Sequence, residues 1–233
     1  MSNIFIVIAA DINFKSFFEK CNQSCINNGY KTIVYDLGNL GTGKEFTGRF
    51  SDKTSAKIPS KPNIILDALT QIENNDYLVW LDADTIMWDN IEEAKLNYDI
   101  AVTLRKPKDL ENDLPINAGV IFFRKNNNTI DFINRWAKAC ETSKSDQLEL
   151  NNLLNLKNSD LNSVCIKENI TVQVFPCDIY NNFYFKKSQL HAKITHYKSK
   201  HRFRWPERTT VDIKKPKRTK EKTGVNSTNE RSC

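Results

Sequence analysis

Apolar residues along this chain alternate between two habits: short continuous runs, and longer stretches in which they return every three or four positions. Residues 4–10 and 31–36 are of the first kind and read as strands. Between them Phe14, Phe17, Phe18, Cys21 and Cys25 recur at helical spacing, so the chain opens as a β-α-β unit. Residues 64–72 carry a helical pattern, and Tyr77-Leu78-Val79-Trp80-Leu81 is a run expected to be a buried strand. Residues 100–104 and 120–123 read as two further strands, and residues 129–140 and 147–156 as helices. Strands alternating with helices predict an α/β protein, a three-layer α/β/α sandwich whose ligands gather at the carboxyl ends of its strands.

Two segments break the alternation. Residues 37–56 are polar and contain glycine, and they are too long for a simple connector, which is the habit of lids and binding loops. From about Lys214 the pattern fades into KKPKRTKEKTGVNSTNERSC, whose single aliphatic residue is Val225. That is the composition of a solvated tail or linker. The expected organisation is one domain over residues 1–213 and a basic tail over 214–233; 233 residues suffice for one well-buried core.

Charge changes the picture once it is divided. The formal net charge is +6, but residues 1–194 sum to −2 and residues 195–233 to +8. A nucleic-acid face should be built into the fold rather than collected at a terminus, so no nucleic-acid partner is expected. The apolar run at residues 4–10 is too short for a membrane span, and no small-residue cleavage site follows it. The six cysteines show no paired CxxC spacing and read as free thiols in a reducing compartment, so the expectation is a cytoplasmic chain without a membrane span.

The candidate chemistry begins where the apolar run 77–81 ends in Asp82-Ala83-Asp84. Two carboxylates at the carboxyl edge of a sheet can reach one ion. Hard divalent cations such as Mg²⁺ and Mn²⁺ take such oxygen ligands and leave positions open for diphosphate oxygens. An acidic turn closing a strand is the plain alternative. Gly38-Asn39-Leu40-Gly41-Thr42-Gly43-Lys44 fits a phosphate-loop pattern, but Glu45 stands where that loop needs Ser or Thr, and Gly48 disfavours the helix that should follow.

Several short motifs in order carry a resemblance. They are Ala56-Lys57-Ile58-Pro59, residues 63–69, residues 77–84, Asn117-Ala118-Gly119-Val120-Ile121-Phe122-Phe123-Arg124, Asp131-Phe132 with Trp136, and Ser145-Asp146-Gln147. Together they resemble the galactosyl-, mannosyl- and xylosyltransferase family of yeast mannan and plant xyloglucan synthesis. Ala9-Ala10-Asp11-Ile12-Asn13-Phe14 is similar to the opening of the neighbouring glycogenin and lipopolysaccharide galactosyltransferase family. Both share the GT-A nucleotide-sugar fold, a Rossmann-like sandwich on a mixed, mostly parallel sheet, and the resemblance runs from about Ile4 to Trp205.

The resemblance implies a metal-dependent glycosyltransferase acting from a nucleotide-diphosphate sugar, a UDP-sugar, on a glycan or glycoprotein acceptor with retention of anomeric configuration. Ala9, Asp11 and Asn13 would meet the nucleoside; Asp82 would meet the ribose and, with Asp84 and His196, the metal. Asn117, Ala118 and Gly119 would line the sugar pocket, with Asp146 and Gln147 beside the anomeric carbon. Lys57 would belong to the donor site, and Lys198, Lys200 and Arg202 could neutralise the diphosphate leaving group. An imidazole beside two carboxylates suits Mn²⁺ better than an all-oxygen Mg²⁺ site. Ser199 departs from the family's glycine. The residues themselves leave a turn at 117–119, a helix N-cap at Asp146, a binding module without turnover and a metal-dependent nucleotidyltransferase or nuclease as other readings.

Overall fold

The computed structural model describes residues 2–37, 60–106, 114–143, 145–157, 159–183 and 191–197. The segment 38–56, Lys57, Lys198, Lys200, Arg202 and the boundary at 213 lie outside these residues.

The expected opening is present: β1 (Ile4–Ala10), a 3₁₀ turn at Ile12–Phe14, α1 (Lys15–Asn27) and β2 (Lys31–Asp36). Then come α2 (Lys61–Thr70), β3 (Tyr77–Asp82), β4 (Thr85–Met87), β5 (Ile100–Leu104), β6 (Ile116–Arg124), α3 (Asn127–Thr142) and α4 (Asp146–Leu154). The chain continues through β7 (Val164–Lys167), β8 (Ile170–Pro176), α5 (Cys177–Tyr180), β9 (Asn182–Phe183) and β10 (Ile194–His196). Among the described residues the strands form a seven-stranded sheet, in the order β2-β1-β3-β6-β5-β8-β7, and a small sheet, β4-β10-β9.

In the large sheet β2, β1, β3, β5 and β8 run one way, and β6 and β7 run against them. The inner strands β1, β3, β6, β5 and β8 are buried on both faces, which is why they read as continuous apolar runs. Val7 and Ala9 of β1 and Leu78 and Trp80 of β3 join α2, α3 and α4 in one core. Their alternates Ile6, Ile8, Val79 and Leu81 join Phe14, Cys21 and Cys25 on the other side. This is the expected three-layer sandwich. On α3, Phe132, Ile133, Trp136 and Cys140 form the buried stripe, and Asn126 caps the helix by accepting from the Thr129 N–H at 2.9 Å.

Two local outcomes differ from the sequence expectation. Residues 117–119 are not a turn before a strand but part of β6, which starts at Ile116. The β5–β6 register jumps there from Val102↔Ile121 to Thr103↔Asn117, so residues 118–120 bulge away from β5. Asp146 is not the N-cap of α4: Ser145 is, accepting from the Leu148 N–H, and Asp146 is the first helical residue.

Because β6 runs against β3, its beginning lies at the same sheet edge as the end of β3. The carboxyl ends of β1, β3, β5 and β8, the start of β6 and the strand β10 therefore surround one region. None of the five described cysteines is in a disulfide. Among the described residues no helix is long and apolar enough to cross a membrane.

Candidate functional site

At that edge Asp82, Asp84 and His196 converge. One candidate ligand atom from each lies within 4.8 Å of the others. His196 Nε2 is 3.0 Å from Asp84 Oδ1 and 3.7 Å from Asp82 Oδ2. Strand pairing explains the meeting, since Asp82 ends β3 and the antiparallel β4–β10 pair sets His196 opposite Thr85. Asp84 is buried at 3% exposure, not facing solvent as a carboxylate in a strand-end turn is expected to be. Divalent cations with oxygen ligands at about 2.0–2.6 Å span about 4–5 Å across their shell, so the cluster has the size and donor set for one ion.

Asp82 has two distinct oxygens. Oδ1 accepts from Trp80 Nε1 at 2.8 Å and from Lys61 Nζ at 3.0 Å, while Oδ2 is the oxygen nearer His196. Burial works against ionisation of this carboxyl, but Lys61 and then His196 outweigh burial and the repulsion of Asp84, holding it below the usual carboxylate range.

Lys61 is a residue that sequence reasoning missed; Lys57, which it named for the donor, lies outside the described residues. Its ammonium is buried, 3.0 Å from Asp82 Oδ1 and 3.0 Å from Asp146 Oδ2, and it donates to the Ala118 carbonyl at 2.8 Å over the Trp80 ring. Burial alone would favour the neutral amine, but Asp146 and then Asp82 push its pKa up. A signal was available: Lys61 precedes Pro62 at the start of α2, where the helix dipole disfavours a cation. A cation placed there needs a local anion to explain it.

Asp146 and Gln147 come to the same place from α4. The Trp136 indole donates to the Asp146 carbonyl at 2.9 Å, and Asn151 bonds both the N–H and the carbonyl of Ile116, tying α4 to the start of β6. Gln147 Oε1 lies 3.4 Å from the Ala118 N–H. Asn117 Oδ1 accepts from the Gly119 N–H, while the buried Asn117 Nδ2 has no partner among the described residues.

Gly119 has a firmer reason than openness to a ligand. A Cβ there would lie 2.2 Å from His196 Cε1 and 2.4 Å from Nδ1, so the glycine makes room for the imidazole itself. Ala9 pairs with Asp82 in the β1–β3 register. Asp11, just beyond β1, is buried and bonds within its own turn to the Asn13 N–H at 2.9 Å, so Asp11 and Asn13 share the edge without joining the charged cluster. Beneath Asp82, burial and then Cys25 push the Cys21 thiol well up, which leaves it a poor nucleophile.

A family described as nucleotide-diphospho-sugar transferase matches residues 3–203. No curated protein matches the sequence significantly. Among solved structures, a glycosyltransferase involved in the glycosylation of the major capsid of PBCV-1 is similar, with 15% identity and a TM-score of 0.57 over 87% of this chain and 98% of that one. The glycosyltransferase GlyE of Streptococcus pneumoniae TIGR4 shares 13% identity with a TM-score of 0.55, over 86% of this chain and 55% of its own. The bifunctional glycosyltransferase WbbM shares 15% with a TM-score of 0.53, over 85% and 46%. At such identities the likeness is one of fold, whereas the family match spans most of the sequence. The chain belongs to the nucleotide-diphospho-sugar transferase family and is a glycosyltransferase of the GT-A fold.

Proposed function

We propose that this enzyme transfers a sugar from a UDP-sugar to a hydroxyl of a glycan acceptor, with a divalent cation, Mn²⁺ in preference to Mg²⁺, and with retention of configuration. The observation that carries the reading is the convergence of Asp82, Asp84 and His196 beside the Lys61–Asp146 pair. Asp82 Oδ2, an Asp84 carboxylate oxygen and His196 Nε2 would hold the ion. When bound, the cation offsets negative charge that develops on the departing diphosphate.

The chain's own residues supply the remainder. Asp11 and Asn13 at the end of β1 would take the nucleoside. Asn117 Nδ2 is a buried donor suited to a sugar hydroxyl, and Gln147 beside Ala118 lines the same pocket. Lys57, Lys200 and Arg202 are retained as candidate donor contacts. Asp146 faces the reacting carbon as a carboxylate tied to Lys61, an arrangement that favours electrostatic support of positive charge over covalent attack. The acceptor hydroxyl oxygen then bonds the anomeric carbon on the face from which the diphosphate oxygen leaves, and its proton passes to that departing oxygen.

Turnover of a panel of UDP- and GDP-sugars, read as released nucleoside diphosphate, tests the proposal. The expected result is hydrolysis of a UDP-sugar that requires Mn²⁺, stops in EDTA and frees the sugar with its original anomeric configuration. Undiminished turnover in EDTA, release of nucleoside monophosphate, or turnover of no sugar nucleotide would contradict it.

A further inference from the structure

We propose that Asn181 is a positioning residue for His196: its amide fixes the proton on Nδ1 and turns the Nε2 lone pair toward Asp82 and Asp84. Asn181 Oδ1 lies 3.0 Å from His196 Nδ1, and both residues are buried, at 0% and 2% exposure. The other end of the amide decides its orientation. Asn181 Nδ2 lies 2.9 Å from Thr103 Oγ1 and 3.3 Å from the Asn117 carbonyl oxygen, and the Thr103 hydroxyl lies 3.4 Å from that same carbonyl.

A carbonyl oxygen only accepts. Flipping the amide would set two oxygens against each other, so Nδ2 faces Asn117 and Oδ1 faces the ring. An acceptor against Nδ1 requires the proton there. Nε2 then faces the Asp84 and Asp82 carboxylates at 3.0 and 3.7 Å, and since lone pairs repel, a proton or a cation must lie between them; a cation that takes this place meets the Nε2 lone pair. The β6 bulge builds the device, because the register jump sets Asn117 opposite Thr103. The missing side chain of Gly119 leaves the imidazole its place. Asn181 touches neither aspartate in any hydrogen bond among the described residues, so it acts through the ring.

The ligation half of this inference rests on the metal reading above; the tautomer half does not. Partners of a ligating imidazole's second nitrogen change metal affinity by about 10- to 100-fold when removed. The first measurement is a long-range ¹H–¹⁵N spectrum of the metal-free protein at pH 8, tractable because the chain has three histidines. The second is Mn²⁺ affinity by titration calorimetry with UDP present. Wild type is expected to carry a proton on His196 Nδ1. Asn181→Leu is expected to lose that preference and bind Mn²⁺ at least about 10-fold more weakly. Asn181→Asp, which keeps an oxygen against Nδ1, is expected to keep the tautomer and restore affinity to within about threefold of wild type.

A wild-type Nδ1 that carries no proton overturns the proposal without any variant being needed. So does an Asn181→Leu protein that retains both the tautomer and the affinity. Wild type with Nδ1 protonated but no Mn²⁺ binding removes the metal reading, and the ligation half of this inference with it. Mn²⁺ binding with Nδ1 unprotonated in the metal-free protein removes Asn181 alone.

Discussion

Lys61 shows how far a single side chain can be set against its surroundings. Burial and its place at the start of α2 both oppose the ammonium, and Asp146 and Asp82 outweigh them. Lys61→Met would leave two carboxylates facing each other without their cation, at a cost of about 3 kcal/mol at pH 7. The signs fix the pH window. The pKa of Asp82 is depressed in the fold, so its share of stability is present above its ordinary value of 3.8 and is lost as pH falls through the lower folded value. The pKa of Lys61 is raised, so its share is present below 10.5 and is lost as pH rises through the higher folded value. Urea denaturation should therefore show a large difference between wild type and Lys61→Met at pH 7 and a smaller one near pH 2. A difference that does not change with pH would contradict the ion triad.

Gly119→Ala tests the neighbouring contact. The added methyl meets the His196 ring, so stability should fall by about 1–3 kcal/mol and Mn²⁺ affinity by an order of magnitude or more, read by thermal melts and calorimetry. At this scale the aspartates were legible because a carboxylate pair after an apolar run is a local pattern. Lys61 and Asn181 were not, because what marks them is the company they keep in space. Asn181, the residue before β9, lies near the imidazole because β9 pairs with β10.

Among the elements, long strands of the central sheet were readable because burial on both faces makes them continuous apolar runs. β4 and β9, with three and two residues, carry no periodicity to read. The β7–β8 hairpin was legible in principle: Ile170, Val172 and Val174 alternate, and Glu168-Asn169 form its turn at φ of 45° and 68°. The start of β6 was misread because Asn-Ala-Gly is turn chemistry, and here it serves a bulge. The helix α4 carries a prediction of its own. Ser145→Ala removes the cap on the turn that bears Asp146 and Gln147, so stability should fall by about 1 kcal/mol. Turnover should drop while Mn²⁺ affinity holds, since the candidate ligands sit on other elements. A matching loss of Mn²⁺ affinity would show that α4 and the metal cluster are not separable.

For the whole molecule, strand order mattered more than any motif. Mixed direction in the sheet brings the end of β3 and the start of β6 to one edge, which no local pattern in the sequence announces. The alternation of elements, by contrast, declared the three layers directly. Global packing also predicts behaviour at high pH. Burial is the first cause holding the phenols of Tyr30, Tyr35, Tyr77, Tyr98 and Tyr180 above the usual tyrosine range, with Tyr30 pushed up to about 12. The fold thus favours the neutral phenols. Their share of stability is intact below the ordinary value of 10 and is lost as pH rises through the folded values. The melting temperature should be level from pH 7 to 9 and fall steeply between pH 10 and 12; a flat profile to pH 12 would contradict the buried tyrosines.

The central claim is that one cation, held by Asp82, Asp84 and His196, joins this protein to a nucleotide diphosphate. Calorimetric titration of UDP with and without Mn²⁺, on wild type and Asp84→Ala, addresses it most directly. The account predicts that Mn²⁺ tightens UDP binding to wild type by about 10-fold or more and that Asp84→Ala loses this enhancement while keeping the weaker metal-free affinity. Equal UDP affinity with and without Mn²⁺ in wild type, or an undiminished Mn²⁺ effect in Asp84→Ala, would contradict it.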